Sequence, residues 1–289
     1  TSVAAFHGYN YLLARENLND HLSSNERKGN IRQRLWKIRA KKVVIATGAI
    51  ERPLVFSNND RPGIILSSSI KKYIDYYGVK TGKNISLFTN NDSAYETAIS
   101  LNKSGVKVKV IIDIRENSNS ILSEQVEKSG IKILKGYTVI DTDGHKRIKS
   151  FDVMKLSKDG ESVVGNKITY KSDCLGISGG WTPMVHLFTQ SGGKLKFRNN
   201  DNVFIPDENK TPSNQISVGS SNGDFELDDV INNTVKNIKI FLGIDKNDFD
   251  NLNIKCSKEK QKRNIWLLPS NKPISKTKPF LDFQNDSTA

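Results

Sequence analysis

At 289 residues, with 36% hydrophobic and 26% charged side chains, the chain has the composition of a globular protein and room for two domains. It holds no apolar run near the roughly 18 residues that cross a bilayer and no charged-then-apolar start, so no membrane partner is expected and a cytoplasmic location is. The net charge of +13 raises a basic nucleic-acid-binding module as an alternative, but the lysines are scattered and the densest run, 255–263, sits in a polar connecting stretch, so no nucleic acid is expected.

In chain order, residues 1–14 read as a hairpin around His7-Gly8, and 15–34 as a polar loop. Residues 35–39 alternate as an antiparallel strand, and Val43-Val44-Ile45-Ala46 is a continuous apolar strand of the kind buried on both faces of a sheet. Ile70, Tyr73, Ile74 and Tyr77 recur at helical spacing before the stop at Gly78. A βαβ unit follows, with strands at 84–88 and 106–112 around a helix at 92–103. A helix at 121–129 and a strand at 131–134 extend it. Residues 139–169 alternate as a meander; strands at 173–178 and 216–219 and a helix at 228–241 come next. Residues 244–279 are rich in Asn, Lys, Asp and Pro and read as a linker or extended arm. The order suggests one dinucleotide-binding domain, 1–66 and 173–243, interrupted by a second Rossmann-like domain at 67–172, with 244–289 as linker.

Three segments carry the nucleotide signal. Ala46-Thr47-Gly48 ends the first buried strand in small residues, where backbone N–H groups can approach a nucleotide. This strand end resembles that of the two-dinucleotide-domain flavoproteins and disulfide reductases, an α/β class. In the second domain, Thr89, Asn91 and Ala94 stand where G-x-G-x-x-G would place its glycines, so this domain is expected to be a scaffold that binds no dinucleotide tightly. Asp113, 19 residues beyond Ala94, falls near a ribose-binding acid but reads better as a strand-end carboxylate. The third segment runs from Gly219 through Asn222 and Gly223; cofactor contact and plain turn are equally open readings of it. Cys174 and Cys256 form no C-x-x-C, the four histidines have no partner at ligand spacing, and no catalytic or metal constellation is expected.

Several runs resemble the α subunit of heterotetrameric sarcosine oxidase. They are residues 32–40, the 46–56 run from Ala46 to Phe56, Asn58-Asn59-Asp60-Arg61-Pro62-Gly63, Phe88 through Tyr95, Gly179-Gly180-Trp181-Thr182-Pro183, and Asp282-Phe283-Gln284-Asn285-Asp286. The resemblance implies an internal fragment of a subunit that binds NAD and continues into a folate-binding, aminomethyltransferase-like domain. It further implies partner β, γ and δ subunits, FAD in β and FMN at the α/β boundary. The complex would demethylate sarcosine to glycine, giving hydrogen peroxide and formaldehyde or methylene-tetrahydrofolate. Ala46, Thr47, Gly48, Gly219, Asn222 and Gly223 would be this chain's share of the NAD site, and the fragment alone would be inactive. The alternative within the same superfamily is a stand-alone FAD- or NAD(P)-dependent reductase.

Overall fold

The structure is a computed structural model that describes residues 2–244, 254, 256 and 263–289. The chain forms two compact units. The first comprises residues 1–50 and 182–256, the second residues 51–181 and 257–289.

The first unit opens with a three-stranded antiparallel meander, Ser2–His7, Tyr11–Asn17 and Gln33–Arg39. Tyr9 and Asn10 make the first turn in the left-handed region, at φ 58° and 54°. Val43–Ile45 then pairs in parallel with Gln215–Ser217, in the register Val43↔Gln215, Val44↔Ile216, Ile45↔Ser217. Phe6, Ile45 and Phe188 form a small core, backed by Leu12, Val43, Leu187 and Leu195. A hairpin of Leu195–Arg198 and Val203–Pro206 and a helix at His186–Gln190 complete the middle of the unit. The helix Leu227–Leu242 follows, stopped at Gly243 (φ 73°). Its one buried residue is Asp228.

The second unit is built on a five-stranded sheet, ordered Ile64–Leu66, Cys174–Ser178, Ile85–Thr89, Val108–Asp113, Ile133–Lys135. All four pairings are parallel. Such sheets need cover on both faces. One core gathers Ile70, Tyr95, Ala98, Leu101 and Val126 from the helices Ser67–Asp75, Ser93–Lys103 and Ile121–Lys128 against Ile85, Leu87 and Ile111. The other sets Phe88, Val110, Ile112, Leu175 and Ile177 against Val139, Phe151, Val153 and Leu156 of the meander Tyr137–Asp143, Ser150–Leu156 and Val163–Lys171.

The helix Ser67–Asp75 begins at Leu66, which has no side chain able to cap it. Glu51 supplies the missing acceptor: its Oε2 takes the Ser68 N–H at 2.8 Å. An acceptor at this position satisfies one of the backbone donors left free at a helix N-terminus.

Two expectations are corrected. Val43–Ile45 pairs with Gln215–Ser217 as the first domain requires, but Ile64–Leu66 and Cys174–Ser178, expected in that domain, lie in the second unit's sheet, flanking one another beside Ile85–Thr89. An apolar strand announces burial, not which sheet receives it. Residues 244–289 are not simply a linker, because 263–289 belong to the second unit. Asn59 clamps that segment, donating to Phe280 O at 2.9 Å and accepting from Phe280 N at 2.7 Å. The basic run 255–263 lies outside the described residues apart from Cys256 and Arg263. Among the described residues no helix is long and apolar enough to cross a membrane.

Candidate nucleotide-binding site

Parallel pairing of Val43–Ile45 with Gln215–Ser217 puts their carboxyl ends side by side in the first unit. The sequence-predicted residues Ala46, Thr47 and Gly48 leave one strand, and Gly219, Asn222 and Gly223 leave the other. The ladder continues one step beyond the strands, with Val218 N–H donating to Ile45 O at 3.0 Å. The Ser221 hydroxyl donates to the same carbonyl at 3.1 Å. In open α/β sheets this carboxyl edge is where ligands sit.

The backbone at these ends requires glycine. Gly48 has φ 74°, and a Cβ there would meet nothing within 4 Å, so the space beside it is open. Thr47 Oγ1 donates to Met184 O at 2.7 Å, and Met184 N–H donates to Gly48 O at 2.9 Å, which fixes the 46–48 turn. The Gly219–Asn222 segment is one turn of 3-10 helix, with Gly219 at φ 63° and Gly223 at φ 89°. Gly219 is open but for Val230 and Thr234 at 3.5 and 3.8 Å. Gly223 is crowded, because a Cβ would lie 2.8 Å from Ile205 and 3.0 Å from Arg198. Arg198 donates to Gly223 O at 2.7 Å and is paired with Asp201.

The helix after this turn is a poor anion site. Glu226 is its N-cap residue and Asp228 and Asp229 stand in its first turn. Asp224 lies just before, its carboxyl raised by burial against the pull of Asn233. Four carboxylates offset the positive helix end that a pyrophosphate needs. Beneath the site, Gln215 Oε1 and Ser217 Oγ are buried with no hydrogen-bond partner among the described residues.

The second unit shows the opposite arrangement: a crevice edge filled with its own side chains. Thr89 Oγ1 accepts the Asn91 N–H at 3.0 Å and donates to Asn91 O at 2.7 Å. The Asn91 amide donates to Ser178 Oγ at 3.0 Å. Asp113 and Arg115 are buried at 0% and 1% exposure, paired at 2.6 Å, and Arg115 also reaches Asp92 at 2.8 Å. Tyr95, fully buried, donates its hydroxyl to Asp113 at 2.6 Å, and burial first, then Asp113, pushes its phenol far upward. Sequence reading missed Arg115 and Tyr95; the i, i+2 spacing of Asp113 and Arg115 at a strand end was the available signal. Among the described residues no group of three or more His, Cys, Asp or Glu could hold a metal.

The chain is 37% identical over 228 residues, 78% of its length, to sarcosine oxidase subunit alpha of Corynebacterium sp. (strain P-1). It is 36% identical over 163 residues to the protein of that name from Rhizobium meliloti (strain 1021), covering 56% of this chain and 15% of that one. The chain is a relative of sarcosine oxidase subunit alpha. It spans 23% of the length of the Corynebacterium protein. No family model matches it. Among solved structures, thioredoxin reductase of T. acidophilum is similar with a TM-score of 0.55 at 16% identity, covering 73% of this chain and 69% of that one. The E. coli flavoprotein disulfide reductase RclA aligns with a TM-score of 0.53 at 14% identity, covering 82% of this chain and 49% of that one. The fold is therefore that of the two-dinucleotide-domain, disulfide-reductase-like flavoproteins. The resemblance read from the sequence motifs to sarcosine oxidase α subunits extends across most of the chain.

Proposed function

We propose that this chain is the nucleotide-binding and scaffold portion of a sarcosine oxidase α subunit, an oxidoreductase component with no catalytic residue of its own. Its first unit contributes one wall of an NAD site, made of Ala46, Thr47, Gly48, Gly219, Asn222 and Gly223. The observation that carries this reading is the adjacency of those two glycine-bearing strand ends in a chain 37% identical to such subunits. The open space beside Gly48 suits close approach of a cofactor backbone. The carboxylates around the helix Leu227–Leu242 do not suit a diphosphate, so the pyrophosphate contacts come from elsewhere in the full-length subunit.

On this reading NAD is the nucleotide of the subunit. In the complex, FAD in a β subunit would supply the amine oxidation, FMN would belong to the α/β boundary, and tetrahydrofolate would be bound by a folate domain of the α subunit. The reaction is oxidative demethylation of sarcosine to glycine, with hydrogen peroxide and either formaldehyde or methylene-tetrahydrofolate as products. In this assignment the chain's own residues bind and orient; they move no proton. Exposed apolar side chains support a role among β, γ and δ partners: Leu35, Trp36 and Ile38 on one strand are 58%, 44% and 42% exposed.

The test is a chimera. In the full-length Corynebacterium subunit, the matching 228 residues are replaced by those of this chain, and the complex is assembled with its partner subunits. Sarcosine-dependent peroxide formation supports the reading. An assembled, flavin-loaded complex that fails to oxidise sarcosine overturns it.

A further inference from the structure

The carboxyl edge of the second unit's sheet holds a stretch of the chain's own backbone. Residues 263–268 run past the ends of the three central strands, and each end is bonded to them. Beyond Cys174–Ser178, Gly179 O accepts from the Trp266 indole N–H. Beyond Ile85–Thr89, the Asn90 side-chain amide donates to Arg263 O at 3.4 Å and Ile265 O at 3.5 Å. Beyond Val108–Asp113, Ile114 O accepts from Arg263 Nη1 at 2.9 Å.

The segment is fixed further along its length. Arg263 Nη2 donates to Ser157 O at 3.0 Å and Lys158 O at 3.1 Å. Val55 N–H donates to Trp266 O at 2.7 Å, and Leu268 N–H donates to Val55 O at 2.9 Å. Leu268 is 6% exposed within the meander-side core, against which Ile265 and Trp266 pack. Arg52 stacks over the Trp266 ring at 4.2 Å. Gly160 leaves room for the segment, because a Cβ there would lie 2.4 Å from Ile265 Cδ1.

A parallel α/β sheet binds its ligand outside the carboxyl ends of its strands. We propose that residues 263–268 are the built-in occupant of the second unit's nucleotide crevice: a peptide strap, anchored by Arg263 and Trp266, stands where a dinucleotide would lie and closes the crevice to nucleotides. The loss of glycines at Thr89 and Asn91 and the filling of the edge by the strap are two parts of one conversion. The crevice becomes an anchor that ties the segment after residue 262 to the second unit. This does not depend on the identity of the nucleotide in the first unit.

Hydrogen exchange read by mass spectrometry on the full chain tests it. Peptides covering 54–56 and 264–268 should be protected, and about 1 mM NAD should leave exchange at 88–94, 113–118 and 178–180 unchanged. Arg263→Ala with Trp266→Ala should speed exchange at 264–268 by roughly tenfold or more, while peptides of the helix Ser93–Lys103 stay protected. Should the double variant unfold, Arg263→Lys alone is the second variant: it keeps the charge but loses the fork that reaches three carbonyls, and should loosen 264–268 selectively. NAD-induced protection at 88–94, or equal exchange at 264–268 in the wild type and a folded variant, would overturn the proposal.

Discussion

Tyr95 donates its hydroxyl to Asp113 Oδ2 at 2.6 Å, and neither side chain is exposed. Arg115 completes the cluster, also out of solvent. An acid that could have met a ribose is instead spent on an internal ion pair. Breaking one partner of a buried pair costs about 3–5 kcal/mol, because the other charge is stranded. Asp113→Ala should therefore lower the urea midpoint sharply by leaving Arg115 short of its main partner. Tyr95→Phe removes one hydrogen bond and should cost about 1–2 kcal/mol. In a full-length subunit that still folds, Asp113→Ala should leave NAD affinity unchanged; a tenfold loss would mean that the second unit binds nucleotide.

Glu51 gives a pH-dependent prediction. Burial raises its carboxyl, while the Ser178 hydroxyl and the Ser68 amide pull the other way. A carboxyl raised in the folded state leaves stability intact below the unfolded pKa and erodes it as pH rises through the folded value. Glu51→Gln keeps an acceptor for the Ser68 N–H without the buried charge. The variant should melt higher than the wild type at about pH 7 and equally near pH 4, below the ordinary carboxylate pKa. A variant that melts lower at neutral pH would show that the charge itself is needed at the helix end.

Asn59 should control the terminal segment. It is 2% exposed and holds Phe280 by two hydrogen bonds, with a third to Leu54 O at 3.3 Å. Asn59→Ala removes the clamp and leaves the Phe280 amide without its acceptor. Amide exchange at 280–282 should rise to that of an open segment, with the parallel sheet unaffected. Loss of protection throughout the second unit would instead make Asn59 a determinant of the whole core.

Much of this architecture was legible because apolar runs declare strands, although the burial expected on both faces of Val43–Ile45 is not observed, since Val44 is 39% exposed in a two-stranded sheet. Val43–Ile45, Ile85–Thr89 and Val108–Asp113 were read close to their observed positions, and so were the helices between them. Sheet membership was not legible. Cys174–Ser178 reads as a strand just as Val43–Ile45 does, and the fact that it slots between Ile64–Leu66 and Ile85–Thr89 is a tertiary property. The hairpin Leu195–Arg198 with Val203–Pro206 was missed, since Lys196, Arg198 and the adjoining Asn and Asp residues mask its alternation. The tail reads as linker because its one apolar stretch, Ile265 to Leu268, is short and set in polar sequence, and the rest of its attachment runs through side chains of distant residues, Asn59 and Asn90. At the first site, the glycine-bearing strand ends are visible in sequence; the acids that oppose a phosphate, Glu226, Asp228 and Asp229, gain that meaning only once the helix Leu227–Leu242 is seen to start there.

Gly48 is the sharpest single position in the first unit. At φ 74° any side chain is strained, by roughly 1–2 kcal/mol, and a Cβ would enter the open space beside the turn. In the Corynebacterium chimera, Gly48→Val should weaken NAD binding at least about tenfold, or roughly 1.4 kcal/mol. The same substitution should leave the second unit's exchange protection untouched.

The most direct measurement is calorimetric titration of NAD into the 289-residue chain and, in parallel, into the full-length chimera. A half-site retains few contacts but bears most of the association entropy. The chain alone should show no saturable heat up to about 1 mM, and the chimera should bind stoichiometrically. Equal affinity in the two would contradict the account, because the chain would then hold a complete nucleotide site of its own.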